Sequence, residues 1–474
     1  MFTLNDILQD NADKVSLLSD QSPDPAMIFR SAHHDSRQIS AGDLFVALKG
    51  ARVDGHRFIS TVAQAGALGA LCSEPVTDVP RGFLQIVVPD VVEALHATAR
   101  VRTRRQEHTT LIGITGSNGK TSTKEAIADV LGHKAPTLKT QASYNNEIGY
   151  PLTLLRLEPE HRYAVLEMGA QWVGELAWLC RTIATPDWSL ITNVGASHLE
   201  FFKSQERVVT AKSELVQALS GDGIAILNYD DLNVRGMSAK TQARILYYGL
   251  EDGAEVRASA LAGDTLFGRS FMLSYHGQQQ HVQLHLPGEH GILIALAAAA
   301  AGCAAEMALD EIGAALEKLA PARGRGEIKP GPNGSTLIDD TYNANRQSIA
   351  AITSAMHAAT VPSTSKRWAV VGDIFELGPF AQEEHLLSGE IMAQNIDYLV
   401  AIGDEARFYV EGALKAGMPE NNTYFFPSNV EDSAELEAAK QAIAELLKQK
   451  VHSGDLVLIK GSRGMRMETL LGML

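Results

Sequence analysis

Apolar residues in this chain fall in short, nearly unbroken runs, most of which end at Gly, Asn or Asp. "TLIGIT", "YAVLEMG", "WSLITNVG" and "GIAILN" carry the pattern in the first two thirds, and "STLIDD", "WAVVGD", "YLVAIGD", "TYFFPS" and "DLVLIKG" carry it in the last third. Such runs suit parallel strands, which are covered on both faces. Segments of helical spacing lie between them, and strand–helix alternation predicts α/β sheets.

At roughly 150 residues per domain, 474 residues predict three units. No internal repeat appears. The first unit, residues 1–85, is a small α/β unit with a strand in "GDLFVAL", a helix over "FISTVAQAGALGA" and a strand in "FLQIVV". The second, residues 86–322, is a central α/β unit with a mostly parallel sheet. "APARGRGEIKPGPNGS", Ala320 to Ser335, is rich in Gly and Pro and reads as a linker. The third unit, residues 323–474, reads as Rossmann-like. Its last helix should open on a capping box of Asp432 and Glu435 and bury a stripe of Leu436, Ala439, Ile443, Leu446 and Leu447, with Gly454 beyond its end. "ILIALAAAAAGCAA", from Ile292, is too short and alanine-rich to span a bilayer and reads as a buried helix packed through small side chains.

Charge narrows the function classes. Lys and Arg number 41 against 56 Asp and Glu, a net −15, which argues against non-specific nucleic-acid or anionic-membrane binding. The arginines of "ARVRTRRQEH" then read as a solvated helix face. Cys72, Cys180 and Cys303 are odd in number and far apart, as suits buried thiols in a reducing cytosol. "MFTLNDILQD" lacks the basic and apolar regions of a signal peptide, so the expected location is cytoplasmic, without membrane insertion.

The chemistry starts at "IGITGSNGKTST", Ile112 to Thr123. The loop follows an apolar strand and precedes a helix, the context a phosphate loop requires. Gly116 and Gly119 let backbone N–H groups converge on an anion at a helix N-terminus. Lys120 can reach the β- and γ-phosphates of a nucleotide and the Thr121 hydroxyl can ligate Mg²⁺. Ile114 stands where the usual pattern has its first glycine. Glu167 ends a strand after an apolar run and is a candidate metal ligand. His198 also follows a strand, but a lone histidine is usually structural. Lys212, on a predicted helix, alone reads as a surface lysine.

"TGSNGKTS", "SYNNEIGYPLTLL", "LEMGA", "TNVGASHLEFF", "AKSEL", "LNYDD", "GRGEI", "DDTYNANRQSI", "GDIFELG" and "IKGSRGMRME" follow one another in an order that resembles the Mur ligases, whose ATP loop also lacks the first glycine. "DSRQISAGDLFVALKGARVDGHRF" resembles their N-terminal domain, so the likeness covers nearly the whole chain. "DDTYNAN", "GDIFELG" and "KGSRGMRME" resemble the branch that joins D-alanyl-D-alanine to UDP-N-acetylmuramoyl-tripeptide. The D-Y-A-H-x-P and D-N-P-R motifs of the diaminopimelate- or lysine-adding branch do not occur, nor does the D-G-A-H-N of folylpolyglutamate synthases. The resemblance implies an ATP- and Mg²⁺-dependent amide ligase that works through an acyl phosphate, in peptidoglycan synthesis, as a monomer. The alternatives are another amino-acid ligase of the family and a P-loop ATPase switch without ligase activity.

The resemblance also implies roles. The first unit would bind the UDP-sugar, the central one ATP, and the third would contribute to ATP and the dipeptide. Thr115, Gly116, Ser117, Asn118, Gly119, Lys120 and Thr121 would hold ATP, with Asn146, Asn228, Asp231, Arg325, Asp340 (or Asp339) and Asn343. Thr121 and Glu167 would hold one Mg²⁺ and His198 a second, supported by Lys212 if carbamoylated. Lys120, Glu167, His198 and Lys212 are thus the catalytic set. Asp35, Ser36 and Arg37 would face the UDP-sugar, and Asn145, Tyr342, Asn345, Lys460, Ser462 and Arg463 the substrates. Loop polar groups that only satisfy backbone are the competing reading, strongest for Asp35, Asp373 and Glu376. The chain departs from the family at Arg346, where proline is usual, and at Glu289, Gly291 and Ile294, where Arg, Asn and Asn are usual, the asparagines lying by the adenine.

Overall fold

The computed structural model describes residues 1–50, 53–195 and 202–474. Among these, β1 (Phe2–Thr3) and β3 (Ile28–Phe29) form an antiparallel ribbon. β2 (Ser16–Leu18), β4 (Ala32–His33), β5 (Leu44–Val46), β6 (Gly69–Cys72) and β7 (Leu84–Val87) form a sheet in the order β2-β7-β6-β5-β4, parallel except for β2. Helices α1 (Leu4–Gln9), α2 (Ile59–Gln64) and α3 (Val91–Arg104) accompany it. Two expectations are corrected here. The helix expected to run through "FISTVAQAGALGA" stops at Gln64, because Gly66 turns the chain at φ +96° and Gly69–Cys72 continues as a buried strand. The boundary expected at 85/86 cuts β7, which pairs with β6 through Val87.

The arginines on and after α3 are not a simply solvated face. Arg100 and Arg104 pair with Asp10, and Arg105 pairs with Asp6, so they tie α3 to α1 and its C-cap. Buried Arg102 donates to the Leu157 carbonyl.

Among the described residues the central sheet has nine strands. They are β8 (Thr110–Thr115), β9 (Thr137–Lys139), β10 (Tyr163–Glu167), β11 (Trp188–Ile191), β12 (Ile224–Asn228), β13 (Arg244–Gly249), β14 (Val256–Asp264), β15 (Gly268–Tyr275) and β16 (Gln278–Leu284). The order is β16-β15-β14-β13-β12-β11-β8-β10-β9, parallel from β9 to β14 and antiparallel beyond. Its helices are α4 (Lys120–Gly132), α5 (Gly149–Leu154), α6 (Glu175–Thr182), α7 (Gln205–Gln217), α8 (Leu232–Arg235), α9 (Gly288–Ala304) and α10 (Leu309–Leu316). The alanine-rich run is α9, buried along its length, and its small side chains let it lie close against α4. β8 sits between β10 and β11, so chain connections leave it in opposite directions, and ligands bind beyond the carboxyl ends of strands at such a point.

The last sheet holds β17 (Glu327–Pro330), β18 (Thr336–Asp340), β19 (Arg367–Gly372), β20 (Tyr398–Gly403), β21 (Thr423–Pro427) and β22 (Leu456–Lys460), in the order β17-β18-β22-β19-β20-β21. All are parallel except β17. The expected linker therefore contains a strand: Glu327–Pro330 pairs antiparallel along β18 as the sheet edge, where its proline costs no ladder bond. Helices α11 (Arg346–Ala358), α12 (Ala381–Ala393), α13 (Arg407–Lys415) and α14 (Ser433–Lys450) cover the two faces. α14 is capped by Asp432, but the capping box is not formed, since the Glu435 carboxylate accepts from the Asn429 N–H instead. Leu436, Ile443 and Leu447 are buried as the stripe predicts, with Ala439 and Leu446 at its margin.

Candidate active site

β8 delivers the loop Thr115–Gly119 to the N-terminus of α4. Gly116 has φ +152°, and a Cβ there would lie 1.9 Å from the Thr192 hydroxyl, so only glycine lets the loop run against the end of β11. The loop is pinned on that side. The Ser117 N–H donates to the Asn193 carbonyl and the Asn118 N–H to Asn193 Oδ1, while the Thr192 hydroxyl donates to the Asn118 carbonyl.

Two amines converge on one carbonyl. Lys120 Nζ lies 2.8 Å and Lys212 Nζ 3.0 Å from the Gly116 oxygen. Lys212, on α7, is 1% exposed, so it is not the surface lysine that its local sequence suggests. Burial, then the charge of Lys120, hold its pKa well below that of an ordinary lysine. Burial also lowers Lys120, against the opposing pull of Glu167. On a chain of net −15 the two amines form a local basic pocket that can receive an anion.

Glu167 ends β10, one strand away from the loop, and is 1% exposed. Its backbone N–H donates to the Thr140 hydroxyl, and its Oε1 accepts from Asn145 Nδ2 at 2.9 Å. Its Oε2 is buried without a hydrogen-bond partner among the described residues, 3.9 Å from Lys124 Nζ. A desolvated carboxylate oxygen kept free of hydrogen bonds is what a hard cation requires, so Glu167 with the Thr121 hydroxyl fits Mg²⁺. His198 lies outside the described residues.

Lys124 was not among the expected residues. It is fully buried, donates to the Ala142 carbonyl at 2.7 Å and pairs with Glu125 at 2.9 Å. The signal was its place on the apolar face of α4, in register with Ile127, Ala128 and Leu131.

The carboxyl edge of the last sheet closes over this pocket. Arg325 donates to the Thr121 hydroxyl at 3.1 Å, and its guanidinium lies 4.1 Å from the centre of the Tyr342 ring. Exposed Arg463 approaches the same ring at 4.9 Å, and the Tyr342 hydroxyl meets Ser143 at 2.5 Å. Asp340 accepts from Lys460 at 2.5 Å, and Lys460 also holds the carbonyl of exposed Asn343. Asp339 faces away, toward Lys329. Buried Ser462 accepts from the Phe375 N–H. Asn345 caps α11 and donates to Asn118 Oδ1.

Several other expected residues serve the backbone. Asn146 accepts from the N–H groups of Ile148 and Gly149. Asn228 donates to the Thr192 carbonyl and accepts from the Asp230 N–H. Asp231 caps α8 and accepts from the Val194 N–H. Asp35, Ser36 and Arg37 lie on one loop of the first unit, where the Arg37 guanidinium beside Asp35 holds that carboxyl down at about 2. The next residue, Gln38, reaches the hydroxyl of Tyr144, which is the neighbour of Asn145. Asp373 is buried under the same edge, accepting from the N–H groups of Asp404 and Glu405.

The departures also have local causes. Arg346, the first residue of α11, turns to Glu384 on α12 at 3.0 Å. A side chain at Gly291 would strike the Leu286 carbonyl at 2.8 Å, and Ile294 is packed into the core.

Three family profiles match in succession: the Mur ligase family catalytic domain over residues 30–106, the Mur ligase middle domain over 114–302, and the Mur ligase glutamate ligase domain over 324–463. The chain belongs to the Mur ligase family. It is 34% identical to the UDP-N-acetylmuramoyl-tripeptide–D-alanyl-D-alanine ligase of Mycobacterium tuberculosis H37Rv over 94% of this chain and 92% of that one. With the enzyme of the same name from Escherichia coli K12 it shares 35% over 92% of each chain. Its fold is similar to that of MurF from Acinetobacter baumannii, with a TM-score of 0.84, 30% identity and coverage of 99% and 98%. It is also similar to the MurF ligase of Thermotoga maritima in complex with ADP, with a TM-score of 0.77, 28% identity and coverage of 94% and 96%. Among the described residues of this Mur ligase, no helix is long and apolar enough to cross a membrane.

Proposed function

We propose that this Mur ligase joins D-alanyl-D-alanine to UDP-N-acetylmuramoyl-tripeptide at the expense of ATP, in the cytoplasm and as a monomer, completing the peptide of a peptidoglycan precursor. The observation that carries the reading is the convergence of Lys120 and Lys212 on the Gly116 carbonyl, beside a buried Glu167 oxygen with no hydrogen-bond partner among the described residues. A carboxylate is a poor acylating agent because oxide would have to leave. Transfer of the γ-phosphoryl group to the tripeptide carboxylate makes phosphate the leaving group. The dipeptide amine then attacks the acyl carbon, and the tetrahedral adduct expels phosphate and loses a proton to give the amide.

The acceptor carboxylate and the γ-phosphate repel one another, so the site must place positive charge between them. Lys120 exchanges its bond to the loop carbonyl for the β- and γ-phosphates, while the N–H groups of Gly119 to Thr121, at the N-terminus of α4, face the phosphates. Glu167 and Thr121 would hold Mg²⁺, with His198 assigned to a second ion. The metal supplies charge neutralisation at the phosphates. Burial lowers the pKa of Lys212 and so favours its neutral amine, the form that adds carbon dioxide, and its carbamate would be a second carboxylate ligand. Asn145 fixes the rotamer of Glu167. Arg325 and Asn343 come to the phosphates from the third unit, and Lys460, Ser462 and Arg463 receive the dipeptide. Asp35, Ser36 and Arg37 face the nucleotide-sugar end, and the three units carry the UDP-sugar, ATP and dipeptide sites in that order. Asn146, Asn228, Asp231 and Asp340 act by holding the loops that touch the nucleotide.

The test is ADP release with each acceptor supplied alone and both together. ADP formation should require both, with amide product in equal amount. Equal release without either acceptor identifies an ATPase instead. Comparing the diaminopimelate and lysine tripeptides fixes the third residue of the substrate.

A further inference from the structure

The side chain of Asn118 points out of the phosphate loop into the third unit, where it makes two bonds at once. Its Oδ1 accepts from Asn345 Nδ2 at 2.6 Å, and its Nδ2 donates to Gln347 Oε1 at 2.8 Å. Asn345 is the N-cap of α11, its own Oδ1 accepting from the Ser348 N–H, so its amide is presented in one orientation. The Gln347 amide also packs on Gly195, where a Cβ would lie 2.2 Å from Oε1. Gly195 in turn donates to the hydroxyl of Ser117, next to Asn118. One carboxamide cluster therefore touches the phosphate loop, the segment after β11 and the first turn of α11.

From this geometry we infer that Asn118 and Gln347 are positioning residues that couple the phosphate loop to the docking of the third unit, and with it to placement of the dipeptide. Both donors and the acceptor groups are neutral amides, so the contact assembles without moving charge into the cleft. Its orientation is set by two anchors that do not depend on it: the Asn118 N–H bonded to Asn193 Oδ1 in the central unit, and the cap bond of Asn345 in the third. This rests on the ligase reading above.

The test uses the full chain with Asn118→Ala, Gln347→Ala and the double variant, and Gln347→Glu as the conservative change that keeps the acceptor oxygen. A neutral hydrogen bond is worth about fivefold in an equilibrium, so Gln347→Ala should lower kcat/KM for the dipeptide by about fivefold and Asn118→Ala by about tenfold or more. The double variant should be no worse than Asn118→Ala alone, because the bond to Gln347 is already lost there. Affinity of Gln347→Ala for a non-hydrolysable ATP analogue should stay within about twofold, and Gln347→Glu should recover part of the dipeptide term. With the analogue bound, small-angle scattering should show Gln347→Ala more extended than the parent. Additive losses in the double variant, or a Gln347→Ala enzyme that compacts and turns over like the parent, would overturn the coupling. A parent that forms no amide fails the ligase reading instead, and the scattering comparison still decides the coupling.

Discussion

Asp373→Asn should make the protein more stable at alkaline pH and leave it unchanged in acid. The Asp373 side chain is 3% exposed, its Oδ2 accepts from the N–H groups of Asp404 and Glu405, and its Oδ1 is buried with no hydrogen-bond partner among the described residues. His385 Nε2 is 4.0 Å from that oxygen but accepts from the Ile374 N–H, so it has no proton to give while neutral, and burial lowers its pKa to about 4. Burial raises the Asp373 carboxyl from 3.8 to about 6. The folded protein therefore binds this proton more tightly than the unfolded chain. Its stability falls as pH rises from about 4 to about 6, and above that the whole cost of a desolvated charge is present. At about 1.4 kcal/mol per pH unit, a gap of about two units is about 3 kcal/mol. Asn keeps an acceptor for the two N–H groups and carries no charge. Urea unfolding of parent and variant should thus differ by about 3 kcal/mol in favour of Asn at pH 8, with the difference gone near pH 4. A difference independent of pH, or a variant less stable at pH 8, would refute burial as the cause.

Lys212 should give a carbamate signal in ¹³C NMR with labelled bicarbonate, which Lys212→Arg abolishes, since guanidinium stays protonated; an unlabelled parent counts against the carbamate. Glu167→Gln should cut turnover by about a hundredfold or more and raise the Mg²⁺ concentration for half-activity, because the amide is a weaker ligand for a hard cation. Gly116→Ala should abolish nucleotide binding measured by calorimetry, as its Cβ would meet the Thr192 hydroxyl at 1.9 Å. Arg346→Pro should stay within about 1 kcal/mol of the parent in thermal unfolding, because proline is favoured at the first helical position and the lost pair with Glu384 is partly exposed.

The order of apolar runs was enough to place the strands that carry chemistry, because a strand buried on both faces must be apolar nearly throughout. β8, β10, β11 and β12 fall where the runs predict them, as do β18 to β22 of the last sheet. The Gly-Lys-Thr loop is equally local: a strand, two glycines and a helix start define it without any distant contact. What failed was decided by pairing. Gly69–Cys72 looks like the end of a helix until β5 and β7 flank it, and Glu327–Pro330 looks like linker until β18 gives it a partner. Residue roles divide in the same way. Lys212 has the sequence surroundings of an ordinary helix lysine, and only the packing of α7 against the sheet removes it from water. The partnership of Asn118 with Asn345 and Gln347 spans more than two hundred residues and two sheets. Local sequence fixes backbone preference and burial pattern. Which polar groups meet depends on how separately folded sheets dock, and that is a property of the tertiary structure alone.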